Sequence, residues 1–171
     1  MSLMKTFAAA VIVSTLALTA VQVGAQDNAA REGRDRAEIE ALMWRYVRAL
    51  DTTDAEAYAA VYTTDGQFGS GANATKGRAA LTKMVAGMRD GRTAAAAKGE
   101  TRPAMYHVIT NPYLSFVDKD HARMEAYWMT VFGAAGQGTT PRVAAAGRSV
   151  DQLVRVDGKW LIQSRDVAPK D

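Results

Sequence analysis

From Arg34 to Leu50 the apolar residues Ile39, Leu42, Met43, Tyr46, Val47 and Leu50 recur at intervals of three and four, which is the repeat of one helix face. Asp51 closes that run, and Asp54 is a suitable N-cap for a second helix carrying Tyr58, Val61 and Tyr62. The Asp65-Gly66 pair predicts the turn that ends this helix, and Gln67-Phe68 opens a short extended segment. A third helix is expected over Ala79 to Met88, with Leu81, Met84, Val85 and Met88 on one side. Arg89 to Pro103 mixes Gly, Ala and charge and reads as a mobile loop, long enough to serve as a lid.

Beyond Ala104 the period changes to two. Met105 to Val117, His121 to Phe132, Val143 to Val156 and Lys159 to Val167 read as four strands. Their spacers are Asp118-Lys119-Asp120, Gly133 to Pro141, and Asp157-Gly158, the last being a strong hairpin signal. Helices first and a meander afterwards imply an α+β domain, with helices laid on one face of a curved antiparallel sheet.

The first residues stand apart from this pattern. Lys5 is followed by an apolar run, Thr6 to Val21, and then by Val23-Gly24-Ala25, a small-residue signal-peptidase pattern. A run of about 16 apolar residues is short for a membrane span, which needs about 20. The expectation is export with cleavage near Ala25, then a flexible leader over residues 26–33 and one domain over 34–168. An uncleaved anchor is the alternative.

Loss of Lys5 lowers the formal charge of +3 by one, and no Lys/Arg block carries interleaved aromatics, so nucleic acid is not an expected partner. With no cysteine there is neither a disulfide framework nor a thiolate nucleophile. A mature chain of this length buries about two-thirds of its unfolded surface, enough for one core.

The two histidines have different settings. His121 follows a charged turn and reads as solvated, whereas His107 lies inside an apolar strand on the face of Met105 and Ile109. A core histidine bonded to backbone is the plain alternative there. Without His-x-x-x-His or Glu-x-x-His spacing, zinc or non-haem iron has little support. A Gly-x-Ser-x-Gly elbow, a phosphate loop and a dinucleotide fingerprint are also missing, so no cofactor is expected.

Three segments carry a resemblance: Arg45-Tyr46-Val47-Arg48-Ala49-Leu50-Asp51 with Asp54; Tyr62-Thr63-Thr64-Asp65-Gly66; and Val150 through Trp160. In wording and order they resemble the SnoaL-like branch of the nuclear transport factor two-like superfamily. The resemblance implies a cone-shaped half-barrel, a curved sheet wrapped around N-terminal helices with an apolar pocket. Its members include dehydratases, ketosteroid isomerases, polyketide cyclases, a dehydrochlorinase, epoxide hydrolases and non-catalytic binding modules, so fold alone does not choose a reaction.

In the scytalone-type dehydratases and the related dehydrochlorinase, an Asp at the Asp51 position pairs with a His at the His107 position. The resemblance thus implies an Asp51–His107 base that takes a proton from carbon; a helix-terminating Asp51 bonded to turn amides is the alternative. Departures are present too. Leu50 and Phe68 stand where such dehydratases have tyrosines, Ala126 where they have a second histidine, and Ser149 where they have an Asn. Tyr46 matches the oxyanion-binding tyrosine of ketosteroid isomerases, but Ser70 stands near their catalytic Asp. Tyr46 or Ser149 is the candidate to stabilise charge on a substrate oxygen.

Asp151, mid-strand, needs a partner such as Arg148 or Arg165, or a place on the pocket wall. That wall is expected to comprise Phe68, Met84, Met88, Met105, Ile109, Met124 and Trp128, an adaptable surface for a small apolar, aromatic or alicyclic molecule. The reading is therefore a cofactor-independent lyase or isomerase, with a non-catalytic ligand-binding or assembly domain as the alternative, and a homodimer through the outer sheet face as a plausible assembly.

Overall fold

The computed structural model describes residues 3–136 and 138–170, the side chains of residues 3–25 excepted. The chain divides into two compact units, Met1–Glu38 and Ile39–Asp171. Helix α1 spans Leu3–Asp51, so residues 26–33, read above as a leader, are helical. The side chains of the proposed export signal lie outside the described residues. Among the described residues no helix is long and apolar enough to cross a membrane.

In the second unit the period-3.6 stripe is the buried face of α1: Ile39, Leu42, Met43, Tyr46, Val47 and Leu50 are all buried. Full burial contributes about 1.5–3 kcal/mol per large apolar side chain, which decides the face α1 presents. Helix α2 is short, Ala55–Ala60, and starts where Asp54 accepts a bond from the Ala57 N–H at 3.0 Å, satisfying a first-turn donor.

Two local expectations are corrected here. Tyr62 belongs not to α2 but to strand β1, Tyr62–Phe68, and Asp65-Gly66 is an irregular stretch inside β1, not a turn. Between Tyr62↔Ile162 and Gln67↔Ser164 the register shifts. A Cβ on Gly66 would lie 2.8 Å from Tyr62 Cβ and 3.1 Å from two carbonyl oxygens. Glycine is there because the backbone folds against itself, a close approach that local sequence does not distinguish from a turn.

After β2 (Thr75–Lys76), helix α3 runs Arg78–Ala97. This corrects the loop expected from Arg89: only residues 98–104 lie between α3 and the next strand. Gly91 costs the helix about 1 kcal/mol, but Ala94 to Ala97 are strong helix formers and Val85 and Ala95 are buried on its inner side.

Strands β3 (Met105–Phe116), β4 (His121–Phe132), β5 (Arg142–Val156) and β6 (Lys159–Asp166) fall within a residue or so of the expected ranges. The six strands form one sheet, β2-β1-β6-β5-β4-β3, antiparallel except for β1 with β6. The α+β class and the curved sheet are as expected, with this one parallel pairing. In β3 a bulge at Asn111-Pro112, with Asn111 at φ 52°, interrupts the ladder. It reverses the inward parity: before it Met105 is buried and Ile109 packs against the core, and after it Leu114 and Phe116 do. Proline is tolerated because β3 is an edge strand.

Candidate active site

Asp51 occupies the last turn of α1, and that turn closes in a definite way. Thr53 N–H donates to Leu50 O at 3.1 Å and Asp54 N–H to Ala49 O at 2.8 Å, with Thr53 left-handed at φ 55°. This is the paired-bond helix ending usually built around glycine. It leaves the Asp51 carbonyl without an intrahelical donor, and Arg92 Nη1 of α3 supplies one at 3.3 Å. A cation at a helix C-terminus also opposes the negative end of the helix dipole. Asp51 is thus held at a helix end with its carboxylate directed at β3.

His107 receives it. Because β3 lies at the sheet edge, alternate backbone amides have no strand partner, and the His107 N–H donates to Asp51 Oδ1 at 2.9 Å. The same oxygen lies 2.7 Å from His107 Nδ1. An ionised carboxylate only accepts, so Nδ1 carries the ring hydrogen and Nε2 keeps its lone pair. The side chains are 16% and 8% exposed for His107 and Asp51, sheltered from solvent yet still reachable.

Tyr46 sits in a different environment. It is 3% exposed and packs with Tyr58 and Tyr62, ring centroids 5.4 and 6.4 Å away; the Tyr58 and Tyr62 hydroxyls are 3.1 Å apart. Burial pushes all three phenols above their ordinary range. The Arg165 guanidinium lies 4.6 Å over the Tyr46 ring and donates to Asp151 Oδ2 at 2.6 Å. Ser149 Oγ is 3.5 Å from the same oxygen. Burial raises the Asp151 carboxyl to about 6, with Arg165 pulling the other way, so the pair is ionised at neutral pH. Burial works against charge on Arg165, and the Asp151 carboxylate beside it works in favour of that charge. Asp151 therefore has Arg165 as its partner, while none of Tyr46, Ser149 and Asp151 hydrogen-bonds the Asp51–His107 pair.

The expected wall residues are dispersed. A cavity of about 450 Å³ is lined by Met88, Met105, Phe132 and three arginines, Arg92, Arg102 and Arg142, with glycine and proline backbone between them. Its size is in the range of small-molecule sites. Only Met88 and Met105 of the expected wall belong to it. Met124 is core, and Phe68, Met84 and Ile109 pack partly buried against the core. Trp128 lies across Gly147 and donates from its indole to the Arg148 and Val167 carbonyls at 3.2 and 3.0 Å. Among the described residues no group of three His, Cys, Asp or Glu side chains is placed to hold a metal.

A family model described as the SnoaL-like domain matches residues 31–166. The chain belongs to the SnoaL-like family. No curated protein matches it, but solved structures do. A nuclear transport factor two-like protein with a cystatin-like fold from Novosphingobium aromaticivorans is 25% identical, with TM-score 0.66, covering 84% of this chain and 87% of that one. A provisionally named scytalone dehydratase from the same species is 22% identical at TM-score 0.64, covering 81% and 85%. A protein from Catenulispora acidiphila in complex with S-DNPA is 22% identical at TM-score 0.62, covering 78% and 91%.

In this SnoaL-like chain, Arg92, Arg102 and Arg142 are the residues that sequence reasoning missed. The first two lay in the segment read as a loop. Continuing the helical phase past Gly91 would have put Arg92 one turn beyond Met88, on the side of the expected wall.

Proposed function

We propose that this SnoaL-like protein is a cofactor-independent lyase or isomerase in which His107 removes a carbon-bound proton. The observation that supports it is the single Asp51 oxygen that meets both the ring Nδ1 and the backbone N–H of His107. That arrangement fixes tautomer and ring orientation and leaves Nε2 as the basic atom. The proton moves from carbon to Nε2; the C–H electron pair forms a C=C or an enolate, and in an elimination the neighbouring leaving group departs with its own pair. Asp51 stays ionised and stabilises the imidazolium. The likeness to a provisionally named scytalone dehydratase points the same way, as does a fold relative crystallised with a small molecule.

Proton exchange tests the base without knowledge of the natural substrate. In D₂O, the protein should catalyse deuterium incorporation beside the carbonyl of 2-tetralone, followed by NMR. Asp51→Asn and His107→Ala should each lower the rate by about 10²-fold or more. Unchanged exchange in both variants sinks the mechanism.

We propose further that residues 1–25 direct export, and amino-terminal sequencing of the exported protein should begin at Gln26. The alternative reading, a binding or assembly domain, draws on the outer sheet face, where Tyr106, Tyr113 and Tyr127 are 49%, 67% and 59% exposed. We infer that this face joins two copies, which is compatible with either reading.

A further inference from the structure

We propose that the arginine-lined cavity binds an organic anion, a carboxylate or comparable acid carried on a flat apolar body, and that this is the substrate class. Three guanidiniums, Arg92, Arg102 and Arg142, surround it, and no lining residue is acidic. Among the described residues none of the three meets a carboxylate. Arg92 bonds only the Asp51 carbonyl, and Arg142 lies 5.0 Å over the Phe132 ring. Three cations gathered without counter-charge repel one another, and an anion seated among them removes that cost. Guanidinium recognises carboxylate through paired, planar hydrogen bonds that an ammonium cannot supply.

The remaining wall is apolar and partly flat. Met88, Met105 and Phe132 contribute thioethers and a ring face, a surface for an aromatic or alicyclic skeleton. Met105 and Phe132 are directly paired across β3 and β4, and His107 is paired with Thr130 one step along on the same face. Two residues of strand correspond to about 7 Å, so a molecule held by its acid group has its carbon skeleton beside the imidazole. Gly87 and Gly91 of α3 complete the wall, and a Cβ on either would meet nothing within 4 Å. They keep open a space that side chains would otherwise occupy. That the anion is substrate and not merely ligand rests on the base reading of His107.

Binding of 2-naphthoate and of its neutral isostere 2-naphthamide, measured by isothermal titration calorimetry, tests the assignment. The carboxylate should bind at least tenfold more tightly. Arg102→Gln combined with Arg142→Gln should bring the two affinities within about twofold by weakening only the carboxylate. Gly91→Leu, which exchanges a poor helix former for a good one, should abolish binding of both while the protein stays folded by circular dichroism. Equal affinities in the unaltered protein, a preference that survives the double substitution, or no binding of either probe overturns the proposal. Displacement of naphthoate by an equal concentration of inorganic phosphate overturns its organic part. Failure here leaves the proton-exchange result standing, and failed exchange with intact naphthoate preference removes only the base.

Discussion

At the scale of single residues, the position of one hydrogen carries the chemical argument. Asp51 Oδ1 stands 2.7 Å from His107 Nδ1, so the neutral ring should carry its hydrogen on Nδ1, and ¹⁵N NMR of labelled protein should show an unprotonated Nε2. In Asp51→Asn the amide oxygen no longer supplies a charge, and the tautomer populations should move toward Nε2–H. A predominantly Nε2–H ring in the unaltered protein would remove the basis for the proposed base. The second buried pair makes the opposite case, a charge kept for structure. Asp151 and Arg165 are 0% and 1% exposed, and Asp151 Oδ1 and Arg165 Nε find no hydrogen-bond partner among the described residues. Asp151→Ala should cost about 3–5 kcal/mol in urea unfolding at neutral pH, because it leaves a buried cation uncompensated. Replacing both residues with apolar ones should cost less, since desolvation already outweighs the attraction of Arg165 and raises Asp151 to about 6. The sign of the pH effect follows: between about pH 4 and 6 the unfolded chain releases this proton before the folded one does. The contribution of Asp151 to stability is therefore full at low pH and declines as pH rises to 6. Relative to Asp151→Asn, the unaltered protein should gain stability on acidification across that window.

Secondary-structure elements set these residues in place through their ends and irregularities. Helix α1 ends on a left-handed Thr53 where glycine is usual. Thr53→Gly should raise stability by up to about 1 kcal/mol, a few degrees in thermal midpoint, without altering the Asp51–His107 contact; a lower midpoint would show that Thr53 packing matters more than its backbone. At Gly66 the reverse holds. The added methyl of Gly66→Ala would meet Tyr62 at 2.8 Å, and a loss of about 1–3 kcal/mol is expected from overpacking. Much at this scale was legible along the chain. The α1 stripe, the Asp54 cap, the four long strands and the Asp157-Gly158 hairpin all follow from local period and turn chemistry. The far half of α3 was not, because Gly91 and the charges around it resemble a loop when weighed without Ala95 buried behind them. Nor was the Asp65-Gly66 irregularity, which depends on the parallel pairing of β1 with a strand some hundred residues later in the chain.

For the whole molecule, the curved sheet has a covered and an uncovered side, and the uncovered one bears Tyr106, Val108 and Tyr127. Light scattering after gel filtration should give a dimer, and Val108→Glu with Tyr127→Glu should give a folded monomer; a monomeric unaltered protein would end that proposal. Local sequence was sufficient for the α+β class and the buried helix face, because helix and strand periods are imposed by near neighbours, whereas Asp51 and His107 were linked in sequence only through a family resemblance. The contents of the pocket depended on tertiary structure. Phe68, Met84, Ile109 and Met124 have the composition of a cavity wall but are drawn into the core. Arg92, Arg102 and Arg142 come from α3, the loop after it and the start of β5, and only the folding of those segments around Met105 and Phe132 brings their charges together. Periodicity reports which face of an element is apolar; whether that face meets a neighbour or an open space is decided by elements distant in the chain.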